Sequence, residues 1–283
     1  MTVANVGSEQ SPSPFDGEGP PPPTPPRKGE GLRLMGKLDG RVALVTGASR
    51  GIGAAIAGAF GREGAMVAVN YHRSEARAAA VVAAIQAGGS QAIAVRADVS
   101  DGAAVRGMVE RTIAALGPID VLVNNAGILN TVPLDQMSEN VWDEMIAINL
   151  RSVFLCTRAV LPAMLARGRG KIINVTSQVG QKGMPNHAHY AAAKAGVIGF
   201  TRALAREVGP RGVHVNAIAP GPIETELIGP ITEEFRREKT VIFALRRLGL
   251  PDEVAPTAVF LASDDSNFYA GQTLCPNGGD IMV

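Results

Sequence analysis

A tyrosine and a lysine stand four positions apart in the run Tyr190-Ala-Ala-Ala-Lys194, whose alanines favour a helix. Residues at i and i+4 lie on the same helical face, so the two side chains point the same way. A nearby cation stabilises a phenolate and lowers the pKa of the hydroxyl from about 10 towards the working pH of an acid–base group. The pair therefore predicts a proton donor, Tyr190, that is assisted by Lys194.

Ser177 lies shortly before this pair and follows an apolar run, residues 172–175, that predicts a strand. Its hydroxyl could bind a carbonyl oxygen beside the tyrosine and stabilise the negative charge that develops there. Taken alone, a serine after a strand is most often a turn or cap residue. The occurrence of Ser177 shortly before the Tyr190–Lys194 pair favours the catalytic interpretation.

A glycine-rich turn follows the first apolar run of the folded part, residues 42–45. Its glycines permit a tight turn and close approach to a pyrophosphate, and the helix that follows offers free N–H groups. The spacing G-x-x-x-G-x-G differs from the commoner G-x-G-x-x-G, and such turns also occur for structural reasons alone. Its place between the first strand and the first helix favours a dinucleotide cofactor. The residues assigned to this role are Gly47, Ser49, Arg50, Gly51, Ile52 and Gly53.

Short apolar runs alternate with longer Ala-rich stretches from residue 36 onward. Strands are predicted at 42–45, 66–69, 93–95, 121–123, 172–175 and 213–218, and helices at 53–63, 75–87, 103–116, 141–167 and 190–208. This alternation predicts βαβ units, and hence an α/β fold with a single Rossmann-type doubly wound parallel sheet and helices on both faces. Ligands bind beyond the carboxyl ends of such strands, which is where the motifs stand.

Further motifs follow the later strands in order: Asp98-Val99, Asn124-Asn125-Ala126-Gly127, Asn149, Ser177, Tyr190, Lys194 and Pro220-Gly221. Together with the glycine turn, this series resembles the short-chain dehydrogenase/reductase family, from about residue 36 to the end of the chain. The resemblance implies an oxidoreductase that transfers hydride between NADPH and a carbonyl or secondary alcohol. It also implies that Asn149, Ser177, Tyr190 and Lys194 are catalytic, with Asn149 holding a water that connects Lys194 to solvent.

The cofactor type is predicted from the end of the second strand. An acidic residue there would bind the ribose hydroxyls of NAD and repel a 2′-phosphate, but the strand runs into Asn70, Tyr71, His72, Arg73 and Ser74. Arg50 and Arg73 can pair with that phosphate, which favours NADPH over NAD, although both could be solvated loop charges. By resemblance the other cofactor contacts are Asp98, Val99, Asn125, Ala126, Gly127, Tyr190, Lys194, Pro220, Gly221, Ile223 and Thr225.

The substrate is less well defined by the sequence. Within the family the chain is most similar to the 3-oxoacyl-[acyl-carrier-protein] reductases, which implies a thioester substrate on an acidic carrier protein. Of the two basic positions that would meet the carrier, Arg211 is present and the other is Gly168, with Arg167, Arg169 and Lys171 around it. The alternatives are a reductase or dehydrogenase of a free ketone, sugar or polyol, and a non-catalytic cofactor-binding regulator.

Composition excludes several classes of function. A formal net charge of +1 gives no bias towards nucleic acid or an anionic membrane, and no apolar run reaches the length needed to span a bilayer. Cys156 and Cys275 have no metal-ligand spacing and indicate a reducing cytoplasm.

His187 and His189 lack companion ligands, so no metal is expected, and we expect them to line the substrate mouth or to be exposed.

The first 34 residues contain eight of the chain's 19 prolines and predict a disordered extension, with residues 35–283 as the catalytic domain. The extension could also serve as a polyproline ligand for a partner.

Assembly is predicted from apolar residues on several faces of the two long helices: Val153, Phe154, Val160, Leu161, Ile198, Phe200 and Leu204. The chain also ends in Ile281-Met282-Val283. Self-association would cover these residues, and the resemblance implies a homotetramer. Packing within one subunit is the alternative.

Overall fold

The computed structural model describes residues 36–229, 232–234, 237 and 241–282. The predicted disordered extension, residues 1–34, lies outside the described residues and stays a prediction.

Seven strands are present in the described part of the chain, and all pair in parallel. They are β1 (Val42–Val45), β2 (Met66–Tyr71), β3 (Ala92–Arg96), β4 (Val121–Asn124), β5 (Gly170–Val175), β6 (Val213–Ile218) and β7 (Thr273–Leu274). Their order in the sheet is β3-β2-β1-β4-β5-β6-β7. The six predicted strands are present, whereas the two-residue β7 is too short to give an apolar pattern.

Helices connect the strands. Over the same residues they are α1 (Gly51–Arg62), α2 (Glu75–Ala87), α3 (Gly102–Leu116), α4 (Glu139–Ile146), α5 (Ser152–Ala166), α6 (Val179–Lys182), α7 (Ala188–Val208) and α8 (Pro251–Ala262). The helical stretch predicted over 141–167 is present as one continuous stretch, Glu139–Ala166, but a π-helical segment that was not predicted, Ala147–Arg151, lies between α4 and α5. Such segments are rare and occur frequently at functional sites.

The core has two layers because side chains of a strand alternate between the faces of the sheet. Ala43 and Val45 of β1 pack with α1, α2 and α8, and Val42 and Leu44 pack with α3, α5 and α7. Burial on both faces explains why the strands are continuously apolar rather than alternating. The predicted doubly wound fold is confirmed.

The helical stretch Glu139–Ala166 is long and apolar enough, by length and composition alone, to cross a membrane. It therefore departs from the expectation that no segment reaches that length. The stretch packs as a core helix, with Val153, Val160 and Met164 buried against neighbouring elements.

Four of the residues expected to face a partner are buried within the subunit instead: Val153, Val160, Ile198 and Leu204. That part of the assembly prediction was wrong, because the sheet and its neighbouring helices cover more than one face of α5 and α7. Phe154 is 43% exposed and still fits the prediction.

The connection from β3 to β4 crosses to the other side of β1, so β1 and β4 are neighbours in the sheet. The connections that follow β1 and β4 run towards opposite edges of the sheet. A crevice forms at such a switch point, beyond the carboxyl ends of the strands. Here a cleft of about 1470 Å³ occupies that position.

Candidate active site

Tyr190 and Lys194 lie in the first two turns of α7, and both are buried inside the cleft wall. The Lys194 ammonium lies 5.7 Å from the centre of the Tyr190 ring. Its Nζ also donates a hydrogen bond to the Val175 carbonyl at 3.0 Å, which fixes it near the end of β5. The predicted side-by-side placement on one helical face is therefore present.

Ser177 is held beside the tyrosine by the turn that follows β5. Its Oγ accepts a hydrogen bond from the Val179 N–H at 3.1 Å. Burial raises the pKa of Tyr190 to about 12, and a side-chain hydrogen bond with Ser177 acts in the lowering direction. The expectation that the lysine places this pKa below its ordinary value was wrong for the protein without cofactor, since burial of the phenolate outweighs the other effects.

Burial lowers the pKa of Lys194 to about 8. The lysine is therefore mostly cationic at neutral pH, while Tyr190 keeps its proton. This combination suits a proton donor whose phenolate is stabilised once the proton has left.

Asn149 lies in the π-helical segment and is fully buried. Its Nδ2 donates to the carbonyls of Ile128 at 3.1 Å and Met145 at 3.2 Å, whereas its Oδ1 has no hydrogen-bond partner among the described residues. A Cβ on Gly127 would lie 2.7 Å from that Oδ1 and 3.6 Å from Lys194 Nζ. The missing side chain thus leaves space between the two groups, which is what the water relay implied by the resemblance requires.

The glycine turn keeps its shape only without side chains. Gly47 has a φ of +61°, and a Cβ there would lie 2.8 Å from the Ala126 Cα. A Cβ on Gly53 would lie 2.4 Å from the Asn125 Nδ2 and 2.6 Å from the Gly47 carbonyl oxygen. Since α1 begins at Gly51 with no side-chain cap, its first N–H groups face the cleft. These features fit the pyrophosphate of a dinucleotide.

Three polar side chains hold this turn in place, and their structural roles were missed from the sequence. Asn125 donates from Nδ2 to the carbonyls of Thr46 at 2.9 Å and Gly47 at 3.1 Å. Thr46 Oγ1 accepts from the Asn125 N–H at 2.9 Å, and Asn70 Oδ1 accepts from the Gly47 N–H at 3.0 Å. Asn70 thus takes the place at the end of β2 where an acid was sought. Thr46, Asn70 and Asn125 lie in three separate segments of the chain, in or directly after three different strands. No pattern within one segment of the sequence predicts these contacts.

Arg50 and Arg73 both line the cleft near the end of β2, as predicted for a 2′-phosphate site. Arg50 Nη1 pairs with Glu226 at 2.8 Å, and Glu226 also pairs with Arg77 at 2.6 Å. Glu226 and Arg77 were not singled out from the sequence. These pairs are exposed, so an incoming phosphate can compete for Arg50 at small cost.

Asp98 lines the same cleft at the start of the loop after β3. Partial burial raises the pKa of this carboxyl, but hydrogen bonds from Ser100 and the nearby His72 and Arg73 bring the pKa below its ordinary value. Ser100 donates from Oγ at 2.7 Å and from its backbone N–H at 2.9 Å. Asp98 is thus an ionised acceptor in the cleft, which suits the predicted contact with adenine.

Every residue predicted for catalysis or cofactor binding lines the same cleft: Gly47, Ser49, Arg50, Gly51, Ile52, Gly53, Tyr71, His72, Arg73, Ser74, Asp98, Val99, Asn125, Ala126, Gly127, Asn149, Ser177, Tyr190, Lys194, Pro220, Gly221, Ile223 and Thr225. The structure thus brings together the loops that follow six strands, β1 to β6, with residues of the π-helical segment and of α7. The role of each one stays a prediction.

His187 and His189 are both buried, so neither is exposed; of the two placements expected, lining of the cleft is present for His187. His187 lines the cleft, where its Nδ1 lies 2.7 Å from the Pro185 carbonyl and its Nε2 lies 3.1 Å from Thr131 Oγ1. A carbonyl can only accept, so neutral His187 carries its proton on Nδ1. Within the described residues no group of three or more His, Cys, Asp or Glu is arranged to hold a metal.

The family model described as short chain dehydrogenase matches residues 41–235. The chain belongs to this family. A 3-oxoacyl-[acyl-carrier-protein] reductase of Synechocystis sp. is 48% identical over 250 residues, which cover 88% of this chain and 100% of that one. The corresponding reductase FabG of Staphylococcus epidermidis is 45% identical over 240 residues, covering 85% of this chain and 98% of the relative.

Solved structures also resemble the chain. A candidate NAD(P)-dependent gluconate 5-dehydrogenase of Beutenbergia cavernae, solved with NADP bound at low occupancy, has a TM-score of 0.82 and 40% identity and covers 86% of this chain and 97% of its own. The predicted family and the predicted class, an NADP-dependent oxidoreductase, are confirmed by these matches.

Proposed function

We propose that the protein reduces a ketone to a secondary alcohol with NADPH, using Tyr190 as the proton donor. The observation that carries this proposal is the Ser177–Tyr190 hydrogen bond, with Lys194 behind it, at the same cleft that holds the glycine turn. The relatives named above act in the same reaction class by their names.

Each residue of the proposed site has its own role in the reduction. Bound NADPH supplies the hydride. The Ser177 hydroxyl donates a hydrogen bond to the carbonyl oxygen and orients it. Tyr190 transfers its phenolic proton to that oxygen, and the Lys194 cation stabilises the phenolate that remains. Asn149 Oδ1 lies on the route by which a proton from solvent reaches Lys194 and then Tyr190.

Two substrate classes are consistent with this reaction. The names of the curated relatives favour a 3-oxoacyl thioester. The basic surface that a carrier protein needs is less evident, since Lys171 is buried against Ser266 and Asn267, and Arg167 and Arg169 both approach Asp120. A free hydroxylated ketone, as the name of the Beutenbergia relative suggests for that protein, is the second candidate.

We further propose that the protein is a cytoplasmic homotetramer. Trp142 and Phe154 expose large apolar side chains on α4 and α5, and Phe268 and Met282 do so near the C-terminal end. Two separate apolar regions fit two different two-fold interfaces. Light scattering should give a mass near four times 29.4 kDa, and a dominant monomer at micromolar concentration would contradict the assembly.

The reaction is tested by following oxidation of NADPH by the purified protein with S-acetoacetyl coenzyme A, ethyl acetoacetate and erythrulose. We expect turnover with at least one of them, and a lower kcat/KM when NADH replaces NADPH. Failure with every carbonyl compound in both reaction directions would contradict the proposal.

A further inference from the structure

Three polar side chains line the cleft just beyond the catalytic serine: Gln178, Lys182 and Asp280. Gln178 follows Ser177 directly, Lys182 ends α6, and Asp280 comes from the C-terminal segment. We call this group the polar subsite. The cofactor contacts and the proton relay described above involve none of its members.

The polar subsite is built around the Asp280 carboxylate, whose side chain is only 5% exposed. Its Oδ2 accepts hydrogen bonds from Gln178 Nε2 and from Lys182 Nζ, the latter at 2.5 Å. Gln178 is itself 4% exposed, and its Oε1 has no hydrogen-bond partner among the described residues. The group therefore contains a buried acceptor that nothing in this part of the protein satisfies.

The backbone fixes this arrangement in advance. The Gln178 N–H donates to the Pro220 carbonyl at 3.1 Å. On the other side, Asn277 accepts from the Gly279 N–H at 2.9 Å and donates to the Ile281 carbonyl at 2.7 Å, which closes a turn around Asp280. The subsite is thus held from two separate segments and does not depend on a flexible surface pair.

A buried acceptor without a donor destabilises a protein by roughly 1–3 kcal/mol, so such groups are usually matched by a ligand or by another polar group. An alkyl chain in this position would leave Gln178 Oε1 unmatched and would remove water from the Lys182–Asp280 pair. A hydroxyl group is complementary, because it can donate to Gln178 or Asp280 and accept from the remaining N–H groups of Lys182.

We propose that the polar subsite binds a hydroxyl group adjoining the reacting carbonyl, so that the preferred substrates are hydroxylated ketones of the sugar or polyol class. This inference rests on the proposed carbonyl reduction and selects between its two substrate classes. Gln178, Lys182 and Asp280 are the residues that determine specificity, while Ser177 and Tyr190 carry out the reaction.

The test compares two ketones with the same carbon skeleton, erythrulose and butanone, where erythrulose is the trihydroxy derivative. S-acetoacetyl coenzyme A is the third substrate, and NADPH oxidation is measured for each. The variants are Lys182→Met/Asp280→Leu, which removes both charges together, and Gln178→Leu, which removes the unmatched acceptor. Lys37→Met/Asp265→Leu removes the same two residue types from an exposed ion pair outside the cleft and serves as the control for the loss of charge.

We expect the wild-type protein to prefer erythrulose over butanone by at least about tenfold in kcat/KM, the effect of one hydrogen bond to a charged group. Each subsite variant should lose most of that preference while activity on butanone is kept, and the control pair should keep it. Gln178→Leu decides the matter if the double variant does not fold.

Equal kcat/KM for the two ketones in the wild-type protein, or a preference unchanged in the folded subsite variants, would overturn the subsite. A merely structural clamp would lower the melting temperature and both activities together without changing their ratio, which also overturns it. Activity on the acetoacetyl thioester alone rejects the inference but keeps the proposed reduction. Inactivity with all three substrates rejects both.

Discussion

The glycine turn and the polar subsite lie in the same cleft but are built in opposite ways. In the turn, space is kept by side chains that are absent, and hydrogen bonds of the Thr46, Asn70 and Asn125 side chains hold the loop in place. In the polar subsite, space is lined by side chains that are present, charged and incompletely paired. The first is proposed to recognise the shape and charge of a phosphate group, and the second to require a particular functional group on its ligand. The two regions therefore respond differently to substitution.

The largest effect should come from the residue between the two regions. Tyr190→Phe keeps the ring and removes the hydroxyl, so kcat should fall by about 10²- to 10⁴-fold while the Kd of NADPH is unchanged. Steady-state rates and a fluorescence titration measure the two quantities. Tyr269→Phe, on an exposed ring that packs against Phe260, is the control. Retention of more than half of the activity would remove Tyr190 from the mechanism.

A pH profile tests the proposed catalytic pair, Tyr190 and Lys194. Because burial lowers the pKa of Lys194 to about 8, the lysine is cationic below that pH and loses its charge as the pH rises through it. Stabilisation of the Tyr190 phenolate is lost with the charge, so kcat/KM for reduction should fall by up to about tenfold per pH unit above 8. A rate that stays level to pH 10 would contradict this assignment.

Gly53→Ala should damage the cofactor region alone. The added Cβ meets the Gly47 carbonyl and Asn125, so the turn must shift, and we expect the Kd of NADPH to rise at least about tenfold. Gly107→Ala in α3, where a Cβ meets nothing within 4 Å, is the matched control and should be neutral or slightly stabilising. If both variants bind NADPH equally well, the turn is not the phosphate site.

The smallest effect concerns the 2′-phosphate. Arg50→Ala should raise the Kd of NADPH by about tenfold and leave that of NADH nearly unchanged, because a hydrogen-bonded charge pair is lost only with the phosphorylated cofactor. The loss is moderated by Glu226, which already engages Arg50. Arg106→Ala, an exposed residue of α3, controls for net charge. If Arg50→Ala raises the Kd of NADPH and the Kd of NADH equally, Arg50 does not bind the 2′-phosphate.

Much of the fold could be predicted because its signals are local. The boundaries of β1 and β6 follow directly from continuous apolar runs, since strands buried on both faces need apolar side chains at every position. The Tyr190–Lys194 pairing follows from helical periodicity, and the glycine turn follows from its place between a strand and a helix.

Local signals failed where a residue's surroundings come from distant segments. The π-helical segment around Asn149 interrupts a stretch whose composition is uniformly helical. The pKa of Tyr190 is raised by burial, which depends on what covers the hydroxyl and not on the lysine four positions away. The same reason explains why His187 and His189 are buried despite their polar, loop-like sequence context.

The sequence by itself determined the class of the sheet, the position of the glycine turn and the placement of Tyr190 and Lys194 on one helical face, because each depends on neighbours within a few residues. The tertiary structure decided that Asp280 meets Lys182 across 98 positions of the chain, and that Asn70 supports Gly47. These contacts exist because parallel strands bring loops from distant parts of the chain to one edge of the sheet. The proposed specificity of the cleft depends on contacts at that edge, which no local pattern of residues encodes.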